Sequence, residues 1–306
     1  MKKLCFTAFV AAVLTLSTVC PVSGQTSEKK EGKKKTEIKI KKMCITFDNL
    51  PGERNYSQAE RQVINDTILA VLKEHDARAS GFVVGDNIES GWEIIVRWLD
   101  EGHTIGFMTY TGQDVDNVPP EIFIEDIAKG KETIEDIVAT YKQKERFFRF
   151  PYLHYGSRPE IKQEVEDYLD ESMIGVAHAS IVVEDFVYNL SLEKITNSRD
   201  STKFIAVRDE YITHILERLG YAETLAQEVM GRPIRHILQL RINWLNAMFL
   251  DDVLTVLTDK GYSFISLKDA LKDKIYRKPE AYFGLRGVSY QERLKYSDPD
   301  LLPASD

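Results

Sequence analysis

Residues 44–53, CITFDNLPGE, decide how this 306-residue chain is read. Cys44 to Phe47 continue an apolar run from Met43, and Asp48 stands where the run ends. Asn49 and a Leu50-Pro51-Gly52 turn follow. The run reads as a short first strand, and an acidic residue at its end marks a candidate site. A second carboxylate at position 49 would complete a metal-binding pair. The chain carries an amide there instead.

Working outward from this strand, apolar runs and helical spacing alternate. Strands are predicted at 43–47, 79–84, 104–107, 147–150, 173–177, 180–183, 237–240 and 263–266. Helical patterns fall at 60–74, 92–101, 122–141, 160–170, 202–230 and 250–260, and the 202–230 pattern is expected to break near Gly220. In the first of these, Val63, Ile64, Ile68, Val71 and Leu72 share one face. Glycines at 102 and 261 supply stops. Repeated strand–helix units imply parallel strands, in a barrel or an open sheet. In either arrangement, functional residues gather at the carboxyl ends of the strands. No glycine-rich phosphate loop is present, since the Gly81–Gly85 spacing is wrong and no lysine follows.

Composition narrows the function classes. The formal net charge of -8 argues against a nucleic-acid binder, which carries a basic excess. Lys2 and Lys3 precede an apolar run from Leu4 to Val19, with small residues before Gln25. Residues 1–24 therefore read as a signal peptide, and the protein as periplasmic or extracellular. Membrane contact is then confined to that peptide or to a lipid anchor at Cys20. Val19 disfavours the anchor because a small residue is usual before a lipidated cysteine. Residues 25–40 read as a lysine-rich solvated linker, 41–272 as the folded domain, and 273–306 as a polar, tyrosine-bearing C-terminal tail. Once Cys5 and Cys20 leave with the peptide, Cys44 stands alone, and the core must hold the domain without a disulfide.

Five segments at strand ends carry more: Thr46-Phe47-Asp48-Asn49, the run from Gly102 to Gly112, Arg149-Phe150-Pro151-Tyr152, Glu184-Asp185-Phe186, and Leu240-Arg241-Ile242-Asn243. In order and spacing, over residues 41–271, they resemble the polysaccharide deacetylase (NodB-homology) family of carbohydrate esterases. The resemblance implies an α/β fold, a distorted (β/α) barrel, and removal of acetyl groups from N- or O-acetylated sugars by water activated on a divalent metal such as zinc.

Carried over residue by residue, the resemblance makes Asp48 the base, Arg149 the group that positions it, and Asp185 the brace of Arg149. Tyr152 lines the substrate cleft. The family's metal ligands, a carboxylate and two imidazoles, fall on Asn49, Met108 and Gly112, and its general-acid histidine falls on Arg241. The aspartate expected three residues before Asp185 is Val182. An amide oxygen is a weak ligand, a thioether is soft, and glycine offers no side chain. The resemblance thus implies a member without the family's metal that binds a glycan or another partner through the old cleft, with Arg241 as a substrate contact. Two alternatives stay open: an active hydrolase with an altered or metal-free site, and a scaffold with no ligand. A guanidinium at position 241 favours a carboxylate or sulfate on the sugar. His103 reads as structural. His154, in the loop after Tyr152, is a candidate substitute donor, though one His and one Asp do not make a dedicated site, and Trp244, just past Arg241, is a candidate stacking surface.

Overall fold

The apolar run that opens the domain forms the middle of the sheet. In this computed structural model, which describes residues 41–88, 91–196 and 201–298, the first strand is β1 (Lys41–Leu50), and positions 43–48 are buried without interruption. Burial on both faces is characteristic of parallel strands. The elements that follow are α1 (Gln58–Glu74), β2 (Ala79–Val83), α2 (Trp92–Asp100), β3 (Thr104–Phe107), α3 (Pro120–Thr140), β4 (Phe147–Phe148), α4 (Pro159–Glu171), β5 (Gly175–Val176) and β6 (Ile181–Val182). Then come α5 (Asp185–Thr196), α6 (Ser201–Met230), β7 (Arg235–Arg241), α7 (Trp244–Asp259), β8 (Tyr262–Phe264), α8 (Leu267–Ala270) and α9 (Tyr290–Ser297).

All described strand pairs are parallel, in the order β5-β4-β3-β2-β1-β7-β6, and β8 joins the start of β1. The path ends at β5 and β6, so the curled sheet is a distorted, open barrel, as the motif order implied. Register places Asp48 beside Arg241 on β7. The carboxyl ends of β1 and β7 therefore meet, and the segments after β3 and β4 reach the same end.

Local sequence explains the helix starts. Ser57 caps α1 and pairs reciprocally with Glu60, closing a capping box. Asn243 caps α7 by accepting from the Asn246 amide at 2.9 Å, so that helix begins six residues before the predicted start. On α1 the core face is Ile64, Ile68, Leu69 and Leu72, while Val63 is half exposed. α5 has no counterpart among the predicted helices. Its outward Phe186, Val187 and Leu190 blur the periodicity that signals a helix. α6 runs unbroken through Gly220, where an added Cβ would meet nothing within 4 Å. A glycine there costs about 1 kcal/mol relative to alanine, too little to stop a long helix.

The C-terminal segment packs on the barrel. The Tyr290 amide donates to the Ala179 carbonyl at 2.7 Å, in the stretch between β5 and β6. The rings of His178 and Tyr290 lie 4.0 Å apart. Arg293, wholly buried, stacks 3.9 Å from the Tyr155 ring and donates to Glu280 at 2.7 Å. This segment therefore belongs to the same compact unit as the sheet, Ile40–Asp306. The predicted signal peptide and linker, 1–40, lie outside the described residues.

A candidate ligand cleft at the strand ends

Six of the eight residues singled out from the sequence line one cleft of about 330 Å³: Asp48, Asn49, Met108, Gly112, Tyr152 and Arg241. Glu53 and Arg54, which no sequence motif marks, line it as well. Tyr152 and Leu153 both sit at φ 56°, and Tyr152 is 63% exposed. Two successive non-glycine residues in the left-handed region are uncommon and carry backbone strain. The turn is held from behind by the tail, where Gly287 approaches the Tyr152 carbonyl so closely that any Cβ would overlap it.

Arg149 lies behind the cleft and is fully buried. Its Nη2 donates to Thr46 Oγ1 at 2.9 Å, its guanidinium stands 4.6 Å from the Phe82 ring, and Nε is 3.6 Å from Asp48 Oδ1. Asp48 accepts a 2.6 Å bond from Gln239 Nε2 on its other oxygen. Asp48 Oδ1 and Arg149 Nε and Nη1 have no hydrogen-bond partner among the described residues. Asp48 and Arg149 thus lie together, as a loose pair.

Asp185 does not brace Arg149. Its Oδ2 accepts from the Arg241 amide at 2.7 Å, from Asn246 Nδ2 at 2.6 Å and from Asn243 Nδ2 at 3.2 Å, while Oδ1 takes Arg241 Nη1 at 2.7 Å. With these donors around it at the start of α5, the carboxylate is committed to β7 and the first residues of α7. It anchors Arg241 instead. Burial lowers the affinity of Arg241 for its proton, but the nearby Asp185 and Asp48 carboxylates outweigh that and raise it. Its guanidinium also lies 5.0 Å from the Phe186 ring.

The donor set at the implied metal positions is poor. Asn49, at φ 63°, turns its amide away to Glu53, donating to Oε1 at 2.9 Å. Met108 is buried, and Gly112, at φ 72°, has no side chain. No histidine lines the cleft. These residues do not supply the carboxylate and two imidazoles that the resemblance implies. Trp244 packs against the core and is not among the lining residues. His103 is structural: Nδ1 accepts from the Ala79 amide at 3.1 Å, and burial, with Arg78 nearby, holds its pKa down to about 4.

Residues 35–167 match the polysaccharide deacetylase family. That match covers 133 of the 306 residues. The chain is 35% identical over 110 residues to the peptidoglycan-N-acetylglucosamine deacetylase of Bacillus cereus, a stretch that covers 36% of each protein. The chain thus spans about a third of that relative's length. In fold it is similar to the polysaccharide deacetylase Bc1974 of Bacillus cereus (TM-score 0.54, 21% identity, 74% of this chain and 91% of that one). It is equally similar to a mutant of BA3943, a CE4 family pseudoenzyme with restored activity (TM-score 0.54, 18% identity, 76% and 68% covered).

The chain also assembles a group that sequence reasoning misses. Asp114 and Asp116, after β3, meet His154, after β4, with one donor atom from each lying within 4.8 Å of the others. Such a group is able to hold a metal ion. The sequence singles out His154 alone, as a substitute donor. The signal for its partners is the Asp-Val-Asp spacing two residues beyond Gly112.

Proposed function

We propose that this protein is an exported member of the polysaccharide deacetylase family with impaired metal hydrolysis, binding an acidic, acetylated glycan through the strand-end cleft. The observation that carries the reading is the replacement at one wall: Arg241, fixed by Asp185 through Nη1, stands in the cleft beside Asn49, Met108 and Gly112. Its remaining N–H groups make no hydrogen bond among the described residues, and a guanidinium edge suits a carboxylate or sulfate. The exposed Tyr152 ring supplies a stacking surface across the same cleft. Export rests on the apolar run at 4–19.

One feature favours the second reading, a working hydrolase of N- or O-acetylated polysaccharide. Asp48 keeps a buried oxygen without a hydrogen-bond partner beside the cleft, as a base would. A titration with uronic-acid and neutral oligosaccharides, run beside a deacetylation assay on a chito-oligosaccharide, separates the two. Acidic-glycan binding lost in Arg241→Ala, with no acetate released, supports the binding protein. Acetate release that disappears in Asp48→Asn overturns it.

A further inference from the structure

We infer that Asp114, Asp116 and His154 form a divalent-metal site on the rim of the fold, separate from the cleft positions where the family's ligands would fall. His154 is almost fully buried and is held from outside the group. Its Nε2 lies 3.0 Å from the Gly284 carbonyl, an acceptor, and 3.6 Å from Asp116 Oδ2, so Nε2 carries a proton, while Nδ1 is turned toward Asp114. Metal-bound histidines characteristically donate their second ring N–H to a backbone carbonyl or carboxylate in this way, which fixes the tautomer and the ring direction. Nδ1 stands 2.8 and 2.9 Å from the two oxygens of Asp114.

An ion bonded at roughly 2.0–2.4 Å reaches donors up to about 4–5 Å apart. The three donor atoms fall inside that span. Replacing the proton shared between Nδ1 and Asp114 with an ion widens that separation by about half an ångström, and Asp116 closes on the same ion by a side-chain rotation. Two carboxylates and one imidazole suit zinc, manganese or cobalt better than calcium, which prefers an all-oxygen shell. Asp114 and Asp116 retain about a fifth of their side-chain surface, which leaves room for water in the remaining coordination positions.

The carboxylates also have local duties that any test must preserve. Asp114 Oδ1 accepts from the Asp116 amide at 2.9 Å, and both oxygens of Asp116 accept from the Ser157 amide at 3.2 and 3.1 Å. Asp116→Asn keeps an acceptor for Ser157, and His154→Gln keeps a donor for Gly284, so both variants should fold.

The experiment is titration of chelator-stripped protein with cobalt(II), read by its visible ligand-field bands and by equilibrium dialysis with metal analysis. Wild type should bind one equivalent. Asp116→Asn and His154→Gln should each weaken binding at least tenfold while circular dichroism is unchanged, and Asp48→Asn should bind as wild type does. No cobalt bound at millimolar concentration, or binding undiminished in both rim variants, overturns the inference. Metal lost in Asp48→Asn but kept in the rim variants would place the ion in the cleft and overturn it equally. Glycan titration of the same variants reports on the cleft alone, so the rim site and the cleft function can fail independently.

Discussion

Asp48→Asn tests whether the charge at the end of β1 serves the fold or burdens it. Asp48 is 2% exposed and Arg149 wholly buried, with Nε and Oδ1 3.6 Å apart. At an effective dielectric near 20, a pair at that distance attracts by roughly 4–5 kcal/mol. The amide removes that attraction, but it also removes the cost of burying the carboxylate. The Arg149 guanidinium is then left with one hydrogen bond among the described residues, to Thr46 Oγ1. Stranding one member of a buried pair costs about 3–5 kcal/mol in general. The loose geometry and the relief of Asp48 place the expected loss at about 2–4 kcal/mol. Urea unfolding followed by circular dichroism at pH 7 measures it. A variant as stable as wild type, or more so, would refute the reasoning. Asp48 would then be a strained functional group, retained at a cost to the fold, and the hydrolase reading would gain.

Stability should fall on mild acidification. Burial pushes His103 and His236 down to about 4 and His178 to about 3, from an ordinary 6.5. Below pH 6.5 the unfolded chain binds protons that the folded one refuses. This stabilisation is therefore fully present above that pH and is lost as pH falls toward 4 and then 3, with a slope approaching about 4 kcal/mol per pH unit near pH 5. A urea midpoint unchanged from pH 7 to 5.5 would contradict it. A second test rebuilds the family's ligands with Asn49→Asp, Met108→His, Gly112→His and Arg241→His. Gly112 sits at φ 72°, and its Cβ would lie 3.2 Å from Val84, so the variant should gain zinc in the cleft while losing at least about 1–3 kcal/mol of stability. A folded variant that takes up no zinc would mean that Met108 and Gly112 are not the second motif's ligand positions.

The fold was legible because its strands are short, apolar and punctuated. All eight predicted strands are present, with ends shifted by a few residues. The candidate cleft was legible because parallel strands collect their carboxyl ends on one side, so motif order translated into proximity for Asp48, Asn49, Met108, Gly112, Tyr152 and Arg241. What spacing could not carry was side-chain partnership. Asp185 chose Arg241 over Arg149 because α5 starts against β7, and α5 itself was hidden by outward apolar residues. Asp114 and Asp116 were invisible as a group because His154 joins them across 40 and 38 positions in the chain, through loops rather than a periodic element.

The changes in the cleft are coupled by charge. A divalent ion held by one carboxylate and two neutral imidazoles would leave positive charge beside the base. Here the ligand carboxylate is an amide, and two cations line the wall instead. Asp48 and Glu53 face Arg54 and Arg241, and the lining is formally neutral. Arg54 is already engaged by Asp86 at 2.8 Å and by the Thr111 carbonyl at 2.7 Å. The guanidinium of Arg241 is engaged by Asp185 through Nη1 alone among the described residues. Asn49→Asp alone would add a third carboxylate to this lining, next to Glu53, with no ion to compensate it and with the Asn49–Glu53 hydrogen bond replaced by repulsion. This single reversion toward the family's ligand set is therefore unfavourable before any metal binds. The cleft is a self-consistent arrangement of charge, and under the proposed function the free edge of Arg241 is the part of it that an acidic ligand would meet.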